Sequence, residues 1–304
     1  MKLFAFILAI GILASPDPSE SGGFSGAAQG VGGLTVLSVE GQSNAYGSAG
    51  TAAIPATRYV LNETHPFRFA RLLKYGLTSW TFLRDSYLYT GYDYKATQWP
   101  YFARTWISET GTPVKIIMNG VGGTCLCTHD NDPDCVPDED DPGCIQPYWD
   151  PAKQWGINTG SRWTGSRSTV TASGAGSSLR AVLWDQGECE TDGTITTLPS
   201  GNRQADYQAA VENYADWIWS TYRVPVVLSA IPVYTSGPCE NDTANRIAIR
   251  DGTVAAALAH EHISDHLVEK SDLAVQADNC SHIYDVATLG ERWFEAIEAS
   301  GLAY

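Results

Sequence analysis

Ser43 stands in the tetrapeptide Gly41-Gln42-Ser43-Asn44, which follows directly on the apolar run 34–40. The β-branched residues of that run predict a buried strand, and the glycine permits a sharp turn after it. A serine in this place lies at the carboxyl end of a strand and the start of a helix, where α/β enzymes hold a nucleophile. The same residue types also form ordinary turns and helix N-caps.

Two further turns could supply partners for such a serine. Gly123 lies in a Gly-Gly-Thr turn (122–124), whose backbone N–H groups could point at a developing anion. Gln186 and Glu188 lie in the segment Trp-Asp-Gln-Gly-Glu (184–188). Gln186 could donate from its side-chain amide into the same space, and Glu188 could orient a base. Both segments are also compatible with a plain turn or a polar loop.

His282 is the candidate general base, because an unperturbed imidazole has a pKa of about 6.5 and exchanges protons near neutral pH. Asp278 precedes it by four residues. A nearby carboxylate of this kind can hold the ring in one tautomer and stabilise the imidazolium. A single histidine before a helix is also often structural.

Strands that alternate with helices must position these residues. Apolar runs predict strands at 34–40, 114–119, 179–184, 224–231 and within 267–275, and helical periodicity is present at about 98–110, 203–221, 242–260 and 285–299. This alternation predicts a parallel sheet covered by helices on both faces. Ligands of such sheets bind beyond the carboxyl ends of the strands, which is where all the candidate residues fall.

The composition narrows the functional classes. The chain has 304 residues, 43% of them hydrophobic, so a sizeable core is expected rather than global disorder. Its formal net charge is −15 and no basic patch is present. A nucleic-acid partner is therefore not expected, because phosphate binding needs clustered lysine and arginine.

The first residues are typical of an export signal. Lys2 precedes a continuous apolar run, and residues 1–14 have the length of a signal-peptide core rather than of a comfortable membrane span. Residues 15–33 are rich in serine, glycine and proline and are interpreted as a flexible leader. We expect a secreted protein with no membrane attachment after cleavage; a membrane anchor or a buried helix is the alternative.

Seven cysteines fit an oxidising, extracytoplasmic environment. The pairs Cys135–Cys144 and Cys239–Cys280 are favoured, although spacing alone does not define the connectivity. Four of the seven cysteines, Cys125, Cys127, Cys135 and Cys144, lie in an acidic, aperiodic segment at about 124–165, interpreted as an insertion. The segment contains a twelve-residue stretch with carboxylates at positions one, three, five, nine and twelve, and this spacing resembles a calcium loop. The carboxylates belong to Asp130, Asp132, Asp134, Asp138 and Asp141. A solvated acidic loop is the other interpretation.

Taken together, the motifs resemble the SGNH-hydrolase superfamily, and within it the sialate O-acetylesterase and acetylxylan-esterase branch, similar to carbohydrate esterase family 6. The resemblance covers roughly 34–300 without much of the insertion. It implies a three-layer α/β/α, flavodoxin-like fold with a central parallel sheet in one domain, 34–304. It also implies a serine esterase with no cofactor required for catalysis, apart from a possible structural calcium.

The resemblance also implies a role for each matched residue. Ser43 would be the nucleophile and His282 the general base. The oxyanion hole would combine the backbone N–H groups of Ser43 and Gly123 with the side chain of Gln186. The family's acid usually lies three residues before the histidine, where this chain has Asn279. Three arrangements stay open: an acid at Asp278, an acid at Glu188, or a Ser–His dyad.

The expected activity is the removal of O-acetyl groups from carbohydrates through an acyl-enzyme. One alternative is an SGNH lipase or thioesterase that acts on longer acyl chains. Another is a calcium-stabilised glycan-binding protein without catalysis. Tryptophans that could rim a sugar site, or fill the core instead, are Trp80, Trp99, Trp149, Trp155 and Trp163.

Overall fold

A computed structural model describes residues 34–41, 43–46, 71–74, 80–83, 97–120, 161–191, 200–234, 243–273, 275–276 and 279–303. The predicted signal peptide, the predicted leader and positions 121–160 lie outside these ranges. So do Gly123, Asp278 and the five acidic residues of the calcium prediction. Ser43 and His282 are described by their backbone only.

A six-stranded sheet forms the centre of the protein, in the order β3-β2-β4-β1-β5-β6. Five neighbouring strands run parallel, and β3 pairs antiparallel with β2 at one edge. The strands are β1 (Thr35–Gly41), β2 (Arg71–Lys74), β3 (Thr81–Phe82), β4 (Val114–Met118), β5 (Leu179–Asp185) and β6 (Val226–Leu228). A separate antiparallel pair consists of β7 (Val275–Gln276) and β8 (Asn279–Ile283).

Helices cover both faces of the sheet. They are α1 (Ser43–Tyr46), α2 (Trp99–Thr110), α3 (Ser161–Ala172), α4 (Arg203–Tyr222), α5 (Thr243–Ala259) and α6 (Val286–Ala299). Alternate residues of a strand point to opposite faces, and β5 sends Val182 to one hydrophobic cluster and Leu183 to the other. The first cluster contains residues of α3, α4 and α5, and the second contains residues of α2 and α6.

Local signals define where the longer helices begin and end. Asn202 caps α4, with its side-chain oxygen 3.2 Å from the backbone nitrogen of Ala205. Asp285 caps α6 by accepting the N–H of Thr288 at 3.1 Å. Such caps satisfy N–H groups that have no partner inside the helix. Because Asp285 follows β8 so closely, its cap fixes the position at which the strand carrying His282 turns into α6.

Glycine allows α6 to cross α2 at close range. A Cβ atom added to Gly290 would lie 2.5 Å from the carbonyl oxygen of Gln98 and 2.7 Å from the backbone nitrogen of Phe102. Real Cβ atoms do not approach backbone atoms this closely, so any larger residue would push the two helices apart. The crossing holds the start of α2 against the helix that follows His282.

The prediction of an α/β fold with a central parallel sheet and helices on both faces is confirmed. The four predicted helices agree with α2, α4, α5 and α6 to within two residues. The prediction of a strand within 267–275 is met only by a parallel bridge between Ser229 and Val268, and by β7 at its end. The structure also begins α3 at Ser161, inside the range that the sequence assigned to the insertion.

Candidate active site

The turn that carries Ser43 depends on the glycine before it. Gly41 has φ +124°, a conformation that residues with side chains rarely adopt. A Cβ atom on Gly41 would lie 2.2 Å from the carbonyl oxygen of Asp185, its neighbour at the end of β5. Glycine therefore lets the carboxyl ends of β1 and β5 meet, and α1 begins at Ser43 directly beyond them.

Asn44 connects the Ser43 turn to two other parts of the chain. It is buried, and its side-chain nitrogen donates to Oε1 of Glu188. Its side-chain oxygen accepts the backbone N–H of Ile283 at 3.2 Å. Ile283 follows His282 in β8, so the segments that carry Ser43 and His282 are neighbours, separated by one side chain. The structure thus brings together the backbones of the two residues predicted to react.

The beginning of α2 supports the same turn from the other side. The side-chain nitrogen of Gln98 donates to the carbonyl oxygen of Asn44, and the indole N–H of Trp99 donates to that of Ala45, both at 2.7 Å. These bonds satisfy carbonyl groups of a helix too short to satisfy them internally. Trp99 is fully buried, so it belongs to the core and does not rim a sugar site.

A pair of buried charges lies beneath the site. Nζ of Lys270 is 2.6 Å from Oδ1 of Asp185, and neither side chain is exposed to solvent. Ser229 donates its hydroxyl to the same carboxylate oxygen at 2.7 Å. Lys270 also lies 3.8 Å from Oε1 of Glu188. Sequence reasoning missed Lys270, because no pattern distinguishes it from a surface lysine.

Glu188 is held in an environment that disfavours its charge. Burial raises the pKa of its carboxyl above the usual value of 4.5, the nearby Lys270 works against this rise, and the Asp185 carboxylate adds to it. Oε1 accepts from Asn44, while Oε2 is buried without a hydrogen-bond partner among the described residues. An oxygen in this position can accept one further proton donor.

Gln186, predicted to line the oxyanion hole, is buried and held by its own loop. Its side-chain nitrogen donates to Oε2 of Glu190 at 2.5 Å, and its side-chain oxygen accepts from the hydroxyl of Tyr207 at 3.1 Å. One of its two amide hydrogens is therefore directed at Glu190. Gly187 continues the loop at φ +135°, with a Cβ position 2.7 Å from Ile231, so this backbone tolerates no larger residue.

The described residues include no group of three or more His, Cys, Asp or Glu side chains that could hold a metal ion. The predicted calcium ligands are outside that part of the chain, so the calcium prediction stays a prediction. Within the same described residues, no helix combines the length and the apolar character needed to cross a membrane.

Comparison with protein-family models and with curated proteins finds no match in sequence. Solved structures do match. An Arabidopsis thaliana protein aligns with a TM-score of 0.58 and 13% identity over 88% of this chain and 97% of its own. A carbohydrate acetylesterase from Xanthomonas citri aligns with a TM-score of 0.56 and 14% identity over 89% of this chain and 57% of its own. A protein named NanS aligns with a TM-score of 0.51 and 15% identity over 88% of this chain and 97% of its own.

The chain shares its fold with these three proteins, one of which is a carbohydrate acetylesterase. This is the fold implied by its resemblance to the SGNH hydrolases, and at such identities the likeness concerns the fold alone. The chain spans 57% of the length of the Xanthomonas citri enzyme.

Proposed function

We propose that this protein is a secreted serine esterase that removes O-acetyl groups from carbohydrates. The observation that carries the proposal is the hydrogen bond from the backbone N–H of Ile283 to the side chain of Asn44. It joins the residue after His282 to the residue after Ser43, at the edge of the sheet where α/β enzymes bind their ligands. The acetylesterase fold of the structural neighbours supports the same reaction class.

In the proposed reaction, His282 removes the hydroxyl proton of Ser43 as its Oγ attacks the ester carbonyl carbon. The tetrahedral oxyanion is held by backbone N–H groups of Ser43 and Gly123 and by the side-chain amide of Gln186. The C–O bond to the sugar then breaks, and the alcohol leaves with the proton from His282. Water, deprotonated by His282, hydrolyses the acetyl-enzyme and releases acetate.

Glu188 is the acid that we assign to His282. Its Oε2 is buried and without a partner among the described residues, and its Oε1 holds the side chain that contacts the His282 strand. Asp278 is the competing candidate. Glu188→Gln would remove the acid but keep an acceptor for Asn44, while Asp278→Asn tests the alternative directly. We expect the larger loss of kcat in Glu188→Gln; a larger loss in Asp278→Asn would reassign the acid.

The nucleophile and the base are tested with an aryl acetate. Ser43→Ala and His282→Ala should each lower kcat by about 10⁴-fold or more, because members of such a unit act together. Ser200→Ala and His266→Ala provide controls, since both residues are exposed on the surface. Wild-type turnover in either Ser43→Ala or His282→Ala would refute the proposal.

The acyl group and the alcohol are separate questions. Aryl esters of increasing chain length distinguish an acetylesterase, which prefers acetate, from a lipase or thioesterase, which prefers butyrate or longer. Labelling of Ser43 by a fluorophosphonate probe distinguishes both enzymes from a non-catalytic glycan-binding protein. Acetate release from a panel of acetylated glycans then identifies the sugar class. A melting temperature unchanged by chelator and by added calcium would exclude the structural calcium.

A further inference from the structure

Three charged side chains, those of Lys270, Asp185 and Glu188, form a buried cluster beneath the site. The exposed fraction of each side chain is 1% or less. Nζ of Lys270 lies 2.6 Å from Oδ1 of Asp185 and 3.8 Å from Oε1 of Glu188. Within the described part of the chain, no other lysine or arginine forms an ion pair with either carboxylate. One ammonium group therefore faces two buried carboxylates.

The charges of this cluster do not balance. With all three groups ionised, the sum is one negative charge, which is unfavourable in a buried site. One oxygen of each carboxylate, Oδ2 of Asp185 and Oε2 of Glu188, is buried and has no hydrogen-bond partner among the residues that the structure describes. The cluster can become neutral either by binding a proton at Glu188 or by gaining a second positive charge nearby.

Lys270 favours the second of these outcomes. Burial raises the pKa of Glu188, Lys270 is the largest influence against this rise, and the Asp185 carboxylate adds to the rise by a smaller amount than Lys270 removes. The hydroxyl of Tyr234 is also within electrostatic range of Glu188. Burial raises the pKa of that hydroxyl, so it stays neutral near pH 7 and adds no charge to the cluster. Lys270 is thus the cation that favours the ionised form of Glu188.

Hydrogen bonds connect the cluster to the proposed reaction centre. Oε1 of Glu188 faces Lys270 and accepts from the side chain of Asn44. Asn44 lies in the nucleophile turn, and its side-chain oxygen accepts the backbone N–H of Ile283 at 3.2 Å. Oε1 is therefore already engaged, and Oε2 is the oxygen left for a donor on His282.

The missing positive charge arises during the proposed reaction. His282 becomes an imidazolium when it removes the proton of Ser43, and this charge would balance the carboxylate of Glu188. An interaction that is favourable only while this charge exists stabilises the transition state more than the resting enzyme. A protonated Glu188 is neutral and does not contribute in this way.

We propose that Lys270 is a positioning residue of the esterase site, which holds Glu188 as a carboxylate between Asn44 and His282. The inference rests on the esterase function proposed above and on Glu188 as the acid of His282. Lys270 is itself fully buried and acts through Glu188. Its loss should therefore change the pH at which the enzyme becomes active, and not only the amount of folded protein.

The test follows kcat/KM for an aryl acetate as a function of pH. Full activity requires the ionised form of Glu188, so a higher pKa of this carboxyl moves the acidic limb of the profile to higher pH. Lys270→Met should move the limb upward by about 1–3 pH units, the range that one neighbouring opposite charge produces. Lys115→Met is the control, because it removes one positive charge from β4, and it should leave the limb in place.

Two further variants separate this role from a structural one. Lys270→Met combined with Asp185→Asn leaves no unpaired charge at the former ion pair. Its limb should still move upward, although by less, because Lys270 influences Glu188 more than Asp185 does. In the Glu188→Gln background, Lys270→Met should not move the limb of the residual activity any further, because the two residues act as one unit.

Several results would overturn the inference. An unchanged limb in the folded variant with both Lys270→Met and Asp185→Asn would do so, and so would an equal shift with and without Glu188. A uniform loss of kcat at every pH would indicate a structural role for Lys270.

A second measurement needs no turnover. Infrared difference spectroscopy detects the protonated carboxyl of Glu188, with Glu188→Gln as the blank, and Lys270→Met should make this signal persist to higher pH. A wild type without esterase activity would refute the proposed function, and the infrared titration would then still decide whether Lys270 holds Glu188 ionised. An infrared titration identical in wild type and Lys270→Met would overturn the inference whatever the activity.

Discussion

Replacing Asn44 by alanine should disconnect the nucleophile turn from the strand of the base. The substitution removes the hydrogen bond to the Glu188 carboxylate and leaves the buried N–H of Ile283 without an acceptor. A hydrogen bond to a charged group contributes about 1.5–3 kcal/mol, and an unsatisfied buried donor costs about 1–3 kcal/mol. We therefore expect the free energy of unfolding to fall by about 3–5 kcal/mol, within the range of those two terms.

The catalytic effect should exceed what lost stability explains. A misplacement of about 1 Å between reacting groups can lower the rate about 100-fold, so kcat for an aryl acetate should fall by this order in the folded variant. Urea denaturation measures the stability, and kcat is measured at a temperature where the variant is folded. Asn119→Ala is the control: this fully buried asparagine directly follows β4, and its side-chain nitrogen donates to the hydroxyl oxygen of Ser38 at 3.0 Å.

Asn44→Asp sharpens the comparison. Aspartate keeps the acceptor for Ile283 but places a second carboxylate beside Glu188, which should raise the pKa of Glu188 further. The variant should lose less stability than Asn44→Ala at acidic pH and more as the pH rises. If Asn44→Ala lowers stability by under about 1 kcal/mol and leaves kcat as high as Asn119→Ala does, the linking role of Asn44 is refuted.

Three further substitutions probe the surrounding structure. Lys270→Met should cost about 3–5 kcal/mol of stability, because it leaves the Asp185 carboxylate buried and unpaired. The double variant with Asp185→Asn should recover most of that loss in urea titrations, and no recovery would contradict the pairing. Gly41→Ala should lower the free energy of unfolding by about 3 kcal/mol or more, since strain at positive φ adds to a direct clash. Gly111→Ala, at φ +67° in open space, should cost only about 1–2 kcal/mol. Equal melting temperatures of the two variants would contradict this difference. Folding raises the pKa of Glu188, so ionisation of this carboxyl opposes the folded state. The stability of the wild type relative to Glu188→Gln should therefore be greatest below about pH 4.5 and fall as the pH rises through the folded pKa. A stability difference independent of pH would show that folding leaves this pKa unchanged.

The regular elements could be predicted from the sequence because their patterns are local. The apolar run of β5 and the caps of α4 and α6 are encoded in a few neighbouring residues. The strand predicted within 267–275 was mostly not found, because pairing with β6 is reduced there to single bridges. The helix α3 has little amphipathic character, and no apolar stripe marked it.

The candidate site could be predicted only in part, for a similar reason. Ser43, His282 and Glu188 belong to short motifs whose residue types suggest chemistry. Lys270 carries no such mark, since a buried lysine and an exposed one have the same letter in the sequence. Its environment arises from packing between distant segments, which only coordinates reveal.

The bond between Asn44 and Ile283 joins residues 239 positions apart in the chain. During synthesis the serine segment would emerge long before its partner, so an unfinished polypeptide would lack the contact on which the proposed ester cleavage depends. Contacts between such distant segments form slowly, because a large loop must close first. The proposed hydrolytic activity should consequently be among the last properties that this protein acquires as it matures.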